Sequence, residues 1–188
     1  FENYLWRGNR STKMSADNFN AFKSNNYPSL AKIGLSIQFN HDALWRVNQR
    51  LPLRVHKGMS TDVIIVHIFP GMTETCLRQQ LDTPGAKGVV LKTYGAGNAT
   101  TEEWFNRAIS EAVSRGMVVV NVTQCVNGGV NQRKYFTGDC LARSGVISGH
   151  DLTTEAALTK LMFLFGMGCT PGQVANRMLH PIVGEMSI

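Results

Sequence analysis

Three runs of apolar, mostly β-branched residues constrain the fold of this chain more than any other feature. They span Val63–Phe69, Gly88–Tyr94 and Met117–Thr123. Apolar and polar residues do not alternate in these runs, which is typical of strands buried on both faces of a parallel sheet. Successive runs start 25 and 29 residues apart, which leaves room for a crossover helix between neighbours. The pattern predicts an α/β fold, a small αβα sandwich with a parallel sheet, in which His67 is a core or edge residue.

Signals for a helix follow the second run. Thr100 and Glu103 match a capping box, in which each side chain accepts a hydrogen bond from a free backbone N–H at the helix start. An apolar stripe at helical spacing comes next and stops at Gly116, a residue suited to a left-handed helix end. The stripe consists of Trp104, Phe105, Ala108, Ile109, Ala112 and Val113.

Two further helices are predicted near the end of the chain. Asp151 is expected to cap a helix that continues to about Phe165. Thr170 precedes Pro171, and proline is favoured in the first turn because its missing N–H has no helical partner there. With the strands, these helices predict that residues 61–188 form a C-terminal domain.

Residues 1–47 have a different character. They read as a strand, a long polar loop and a second strand near Leu35–Phe39, too little for a core of their own. We interpret residues 1–47 as the incomplete end of a larger α/β N-terminal catalytic domain, and residues 48–60 as a linker. The abrupt start at Phe1, without a signal-peptide pattern, favours further residues upstream.

Charge is distributed unevenly along the chain. Residues 1–60 hold nine Lys or Arg against three Asp or Glu, whereas the charges of residues 61–188 balance. A basic segment favours packing against a more acidic part of the protein, or binding of a small anionic substrate. Nucleic acid is not expected as a partner, because no recognition motif and no dense Lys/Arg run is present. No membrane association is expected either, because the apolar run Leu158–Met167 is too short to span a bilayer and contains Lys160.

The cysteines favour a reducing compartment. Cys76, Cys125, Cys140 and Cys169 have neither zinc-site nor redox-motif spacing. Free thiols in the cytoplasm are therefore the expected state. No cluster of His, Asp or Glu has metal-site spacing, so neither a metal nor another cofactor is expected.

Polar loops follow the second and third predicted strands. Gly95 and Gly97 lie between a strand and a helix, the context of a dinucleotide fingerprint, but the third glycine and the ribose-binding carboxylate are absent. NAD binding is therefore excluded, which leaves an anion at a helix N-terminus or a turn without a ligand. The second loop, residues 124–145, is long enough to bind a ligand or a neighbouring subunit, or to be an ordinary surface excursion.

Thr12 and Lys13 form a candidate chemical pair on a polar loop. Most single lysines in loops are solvated charges, but Arg7 and Arg10 are close in sequence here. Like-charge repulsion from them would favour a neutral amine at Lys13. A neutral lysine is able to act as a general base toward a hydroxyl nucleophile. Lys13 is therefore the candidate catalytic residue.

Several motifs together resemble those of bacterial L-asparaginases, in particular the cytoplasmic, type I branch. In residues 1–47 they are Arg7-Gly-Asn-Arg-Ser-Thr-Lys13, then Asp17, Phe19, Phe22, Ser24, Tyr27-Pro28 and Ile33-Gly34. Further along they are Leu91-Lys-Thr-Tyr-Gly-Ala-Gly-Asn98, Val118-Val-Val-Asn-Val-Thr-Gln-Cys125 and Glu155-Ala-Ala-Leu-Thr-Lys160. The resemblance covers nearly the whole chain and implies the asparaginase fold.

The resemblance also implies an activity. The family hydrolyses L-asparagine to L-aspartate and ammonia, with one threonine that attacks the side-chain amide and a second threonine, an aspartate and a lysine that handle protons. Lys13 matches that lysine. The family's Thr-Gly-Gly-Thr and Gly-Thr-Asp-Thr motifs, which carry the nucleophile and the Thr–Asp pair, do not occur in this sequence. This chain alone is therefore predicted to be inactive and to need a missing N-terminal segment.

Family sites are completed by the C-terminal domain of a neighbouring subunit within a homodimer or homotetramer. The resemblance implies that Asn98 and Thr100 make this contribution, and that Thr12, Lys92 and Cys125 line a regulatory asparagine site. Arg is expected at position 92 in regulated relatives. Lysine cannot make the same planar two-point contact with a carboxylate, so the sequence leaves regulation open.

Three alternatives also stay open. The chain could be an asparaginase-like subunit of a tRNA-dependent amidotransferase, against which the Thr-Gln-Cys sequence ending at Cys125 speaks. It could come from a related eukaryotic enzyme that hydrolyses lysophospholipids. It could also be a non-catalytic αβα domain that binds a small ligand.

Overall fold

The structure is a computed structural model that describes residues 1–47, 52–132 and 136–187, and the side chains of all of these except residues 136 and 137. Positions 48–51 of the predicted linker and 133–135 of the predicted long loop lie outside the described residues.

Residues 1–47 form short antiparallel strands and two single-turn 3-10 helices. The strands are β1 (Tyr4–Leu5), β2 (Thr12–Lys13), β3 (Phe22–Lys23), β4 (Ala31–Ile33) and β5 (Ile37–Phe39). β2 pairs with β3, and the other three form a sheet in the order β1-β4-β5.

A four-stranded parallel sheet lies in the second part of the chain. Its strands, in spatial order, are β6 (Val63–His67), β7 (Gly88–Thr93), β8 (Val118–Thr123) and β9 (Ile147–Ser148). The three predicted strands are confirmed, and each differs from its predicted bounds by at most two residues. β8 is buried along its whole length, as the lack of alternation predicts. His67 is exposed at the end of the edge strand β6, which agrees with the edge alternative.

Helices cover both faces of this sheet. They are α1 (Glu74–Leu81), α2 (Glu103–Ser114), α3 (Phe136–Arg143), α4 (Thr154–Gly166) and α5 (Pro171–Met178). One buried cluster packs α1 and α2 on one face through residues such as Leu77 and Ile109, and a second packs α4 and α5 on the other through Leu161 and Met178. The predicted αβα sandwich is therefore confirmed. Among the described residues, no helix has the length and apolar character needed to cross a membrane.

Two of the predicted helix ends are confirmed. Thr170 caps α5, its hydroxyl accepts from the N–H of Gln173, and the Gln173 side chain accepts from the N–H of Thr170 in return. Pro171 is the first residue of that helix. Gly116 follows α2 with a φ of 93°, a conformation in which a Cβ atom would be strained.

The predicted cap at Thr100 is wrong. α2 begins at Glu103, and its N-cap is Glu102, which makes no side-chain capping bond. The hydroxyl of Thr100 instead accepts a hydrogen bond of 3.3 Å from the N–H of Glu102. Thr100 therefore stabilises the turn before the helix, because it lies two residues too early to reach the free N–H groups of the first turn.

The predicted cap at Asp151 is also wrong. Thr153 caps α4, and its hydroxyl accepts from the N–H of Ala156 at 3.1 Å. The carboxylate of Asp151 is occupied elsewhere, by the guanidinium of Arg10 and the N–H of Ser187. A long-range ion pair thus takes the carboxylate away from the local role that its sequence position suggests.

Residues 1–47 pack against the sandwich differently from its own helices. Within the part of the chain that the structure describes, neither buried cluster contains one of these residues. Their apolar side chains are often exposed: Phe19 and Leu35 are fully exposed, and Ile37 and Phe39 are more than half exposed. The segment is held to the sandwich mainly by polar contacts.

Candidate functional site

Lys13 lies at the end of β2, opposite Phe22 of β3. Its side chain is exposed, and its ammonium nitrogen lies 6.0 Å from the centre of the Phe22 ring, at the outer limit of a cation–π contact. Within the described ranges, no carboxylate pairs with this ammonium. The amine is therefore accessible to a reacting group brought to it from outside β2 and β3.

Arg10, three residues before Lys13, is buried and fully engaged. Its Nε donates to the carbonyl of Gly184 at 2.9 Å, and its terminal nitrogens contact Asp151 at 2.8 Å and the hydroxyl of Ser187 at 2.9 Å. The Asp151 carboxylate offsets the charge of the Arg10 guanidinium, which weakens the repulsion that Arg10 is expected to exert on Lys13. A role for Lys13 has to rest on its position and on the matching motif.

The other arginine of the motif has a similar anchoring role. Arg7 donates to the carbonyls of Gly184 and Ala43, at 2.8 Å and 2.6 Å. The guanidinium groups of Arg7 and Arg10 lie 4.3 Å and 4.7 Å from the centre of the Tyr27 ring. Cation–π contacts with the Tyr27 ring therefore add to the hydrogen bonds of both arginines.

Glu155 is a contact of this region that sequence reasoning missed. Its carboxylate, in the first turn of α4, accepts a hydrogen bond of 2.6 Å from the hydroxyl of Thr12. A second tie joins Asn26 to Gly128, whose N–H and carbonyl both bond to the amide side chain. The partners are more than 100 residues apart in sequence, so no local pattern predicts either pair.

The Asp151 carboxyl has a perturbed protonation equilibrium. Burial by itself would raise its pKa, but hydrogen bonds from the Ser187 N–H and from the Arg10 guanidinium outweigh burial and hold the pKa below its ordinary value. Asp151 is therefore a carboxylate at neutral pH.

The segment that ends at Ser187 is fixed by a buried ion pair. Lys160 of α4 contacts Glu185 at 2.7 Å, and the two side chains are 3% and 4% exposed. The carboxylate of Glu185 also accepts from the N–H groups of Ile182 and Val183. Burial alone would raise the pKa of Glu185, but the Lys160 ammonium and these N–H groups lower it overall. Because both charges are satisfied, the pair holds the turn that presents the Gly184 carbonyl.

The three residues of the expected regulatory site make no direct bond to one another. Thr12 is bonded to Glu155, Lys92 is half-buried in β7, and Cys125 is exposed just after β8. Lys92 and Cys125 both lie at the carboxyl edge of the sheet. By alternation, Lys92 is on the same face as Val90, which packs in the α4 cluster. Among the described residues, no hydrogen bond or ion pair joins Thr12, Lys92 and Cys125 to one another.

Asn98 and Thr100 lie in the loop after β7. The backbone N–H of Asn98 donates to the carbonyl of Tyr94 at 2.8 Å, and its carbonyl accepts from Tyr94 at 2.9 Å. Thr100 lines a cavity of about 450 Å³ between this loop, the start of α2 and the turn after β6, where Phe69 and Met72 lie. The two residues are therefore close in the chain, but only Thr100 faces this cavity.

A buried polar network stabilises the loop that contains Gly95 and Gly97. The sequence analysis did not predict this network. Asn121 of β8 accepts from the hydroxyl of Thr93 at 2.6 Å and donates to the carbonyl of Gly97 at 3.2 Å. Thr123 donates to the carbonyl of Gly95 at 2.6 Å. The signal in the sequence is Asn121 itself, which interrupts a run of valines. A buried amide needs hydrogen-bond partners, so its presence there indicates a polar network.

The chain matches known proteins over its whole length. The family models for "Glutaminase/Asparaginase C-terminal domain" and "Asparaginase, N-terminal" match residues 62–178 and 1–45. L-asparaginase 1 of Escherichia coli (strain K12) is 39% identical over 193 residues, covering 100% of this chain and 55% of that protein. The chain thus spans about half the length of that relative.

Other relatives carry different names. The 60 kDa lysophospholipase of Homo sapiens is 41% identical over 188 residues, covering 100% of this chain and 32% of that protein. One subunit of the glutamyl-tRNA(Gln) amidotransferase of Methanobrevibacter smithii is 31% identical over 185 residues, covering 98% of this chain and 42% of that protein.

A solved structure has the same fold. The crystal structure of L-asparaginase I from Vibrio cholerae superposes with a TM-score of 0.93 at 36% identity, covering 100% of this chain and 56% of that one.

Proposed function

The chain belongs to the glutaminase/asparaginase family, and from that premise we propose that the complete polypeptide that carries it hydrolyses L-asparagine to L-aspartate and ammonia. The observation that carries the proposal is the agreement over the whole chain with two L-asparaginases, in sequence with one and in fold with the other. The order of the two matched domain models supports it as well.

In the proposed reaction, a threonine outside these 188 residues attacks the carbonyl carbon of the side-chain amide, and the C–N bond breaks to release ammonia. Water then hydrolyses the resulting threonine ester, which gives L-aspartate and restores the hydroxyl. Lys13 takes part in moving the proton between that threonine and the departing ammonia. Its exposed amine at the end of a strand suits such a role, because a group that exchanges protons must reach the reacting atoms. Asn98 and Thr100 contact the substrate bound to a neighbouring subunit, within a homodimer or homotetramer.

Ammonia release from L-asparagine by the complete polypeptide tests this proposal. We expect turnover with asparagine, whereas residues 1–188 alone release no ammonia, because the nucleophile motifs do not occur in them. If purified residues 1–188 hydrolyse asparagine as well as the complete polypeptide, the placement of the nucleophile outside them is wrong. If neither does, the proposed activity is wrong.

A second candidate function is hydrolysis of a lysophospholipid, which the 41% identity to the human 60 kDa lysophospholipase favours. Fatty-acid release from a lysophosphatidylcholine, measured on the same preparation, separates the two. The amidotransferase alternative is less supported, because its relative is less similar.

The finer assignments also belong to this proposal. A cytoplasmic location is supported by the four cysteines, all of which are free thiols. Thr12, Lys92 and Cys125 are proposed to bind a regulatory asparagine. The hydroxyl of Thr12 donates to Glu155. In such a site it would accept a hydrogen bond from the ammonium of the ligand, or turn from Glu155 to donate to the ligand's carboxylate.

A further inference from the structure

A polar cluster to which the proposed reaction assigns no role connects the segment that carries Lys13 to the sandwich. We call it the Arg10 cluster and define it as Arg10, Asp151, Gly184 and Ser187. Its ion pair is shielded from solvent, with the Arg10 and Asp151 side chains 1% and 19% exposed. The N–H of Ser187 also donates to the second oxygen of Asp151 at 2.8 Å.

The Arg10 cluster joins three stretches of chain that are distant in sequence. Arg10 ends the 3-10 helix Gly8–Arg10, Asp151 lies just before α4, and Ser187 belongs to the terminal segment held by the Lys160–Glu185 pair. Nε and both terminal nitrogens of Arg10 have partners. A planar guanidinium with three directed contacts fixes both position and orientation.

The place of Lys13 depends on this anchor. Its own side chain is exposed and lies at the outer limit of contact with the Phe22 ring, and strands as short as β2 and β3 are not stable alone. The position of β2 therefore depends on contacts made by the residues next to it and within it. Arg10 holds the chain before β2, and the Thr12–Glu155 hydrogen bond of 2.6 Å holds β2 itself against the start of α4.

We propose that Asp151 is a positioning residue for Lys13, which it places by binding Arg10. This inference rests on the proposed function, because Lys13 must take part in the reaction. Asp151 touches neither Lys13 nor, in this proposal, the substrate. Its effect on rate arises because displacement of a reacting group by about 1 Å can cost on the order of 10²-fold.

The test is a double-mutant cycle on asparagine hydrolysis by the complete polypeptide. It compares the unaltered protein with Asp151→Asn, Lys13→Ala and the double variant. Asparagine keeps the size of Asp151 and an acceptor for the Ser187 N–H, but it offers Arg10 no charge. We expect Asp151→Asn to lower kcat about tenfold with little change in KM, and to have no further effect when Lys13 is absent.

A matched control is Asp62→Asn. It makes the same chemical change at the opposite edge of the sheet, where Asp62 contacts Lys87 at 2.6 Å, and kcat should not change. If Asp151→Asn does not fold, Ser187→Ala takes its place in the cycle, since it removes one of the three Arg10 contacts and lies on an exposed residue.

The outcomes separate the inference from its premise. If Asp151→Asn lowers kcat by the same factor with and without Lys13, its effect is merely structural and the positioning role is wrong. If the unaltered protein releases no ammonia from asparagine, the proposed function is wrong and the positioning role falls with it.

Discussion

Lys13 is the residue on which the proposed chemistry depends most directly. Replacing it with alanine in the complete polypeptide should lower kcat for asparagine by at least about 10²-fold, the lower range for loss of an acid–base group. Lys23 offers a matched control, because it is an exposed lysine on the paired strand, opposite Thr12. Steady-state kinetics of Lys13→Ala and Lys23→Ala check the prediction, and a near-normal rate for Lys13→Ala would remove it from the mechanism.

Asp151 gives the anchor of residues 1–47 a dependence on pH. Its pKa is lowered in the folded state, so the unfolded chain binds the proton more readily. The stability that Asp151 contributes is present above the ordinary carboxyl pKa and is lost as the pH falls through the folded value. We expect the thermal midpoint of the complete polypeptide to fall in acid, and to fall less for Asp151→Asn. Unfolding scans from neutral to acidic pH measure this, and parallel curves for the two proteins would contradict it.

Sequence alone predicted the site only in part, and the reason is physical. Lys13 is a candidate from sequence alone because its motif is contiguous, so the whole signal lies in seven residues; its role stays a prediction. Glu155 was missed because its bond to Thr12 spans 143 positions, a distance that only the folded chain closes. The ion pair of Arg10 could not be predicted for the same reason, since its counter-ion Asp151 follows 141 positions later.

The loop after β7 has a tightly constrained geometry. Gly97 has a φ of 107°, and a Cβ added there would lie 2.7 Å from Val130 Cγ1 and 3.2 Å from Asn121 Nδ2. The loop 124–132 also bonds to it, because Asn131 donates to the carbonyl of Ala96 at 2.9 Å. Three stretches of chain thus meet at a position where no side chain fits.

Gly97→Ala should therefore be more destabilising than an ordinary glycine substitution. It incurs the left-handed backbone strain of about 1–2 kcal/mol, and an overpacking cost of about 1–3 kcal/mol is added. Gly116→Ala is the control, because Gly116 has a φ of 93° but open space around its Cβ position. Free energies of unfolding from denaturant titration give the comparison. Equal losses for the two variants would show that the contact with Val130 is readily relieved.

The elements themselves were predictable where one local pattern decides them. The strand Val118–Thr123 follows from a run of mostly valine, all of it buried. The start of α5 follows from the capping box of Thr170 and Gln173. The wrong caps at Thr100 and Asp151 show the limit of this approach. In each case a residue of suitable type lies near a helix start, but its side chain bonds elsewhere: Thr100 within the preceding turn and Asp151 with the distant Arg10.

At the scale of the whole molecule, core and candidate site belong to different parts of the chain. In the described ranges, every residue of the two buried clusters lies between positions 66 and 186, whereas Lys13 and its arginines lie in residues 1–47. The two parts meet through polar contacts, among them the shielded Arg10–Asp151 pair and the buried hydrogen bond from Arg10 to the Gly184 carbonyl. Hydrophobic burial, the largest favourable contribution to folding, therefore acts within one part, and directed hydrogen bonds orient the other.

This division predicts that a fragment of residues 58–188 folds on its own. It retains both buried clusters, the Lys160–Glu185 pair and the hydrogen bond of 2.9 Å from the Ser60 N–H to Met162. It loses the polar contacts made by residues 1–47 and the ring contact between His56 and Phe163. Its secondary structure should persist, and its unfolding should remain cooperative at a lower midpoint. Hydrogen exchange should still protect β7 and β8 most strongly, because these strands are central and buried. A fragment that exchanges rapidly throughout would mean that residues 1–47 are part of the folding unit, and that the polar contacts contribute to stability as much as the core does.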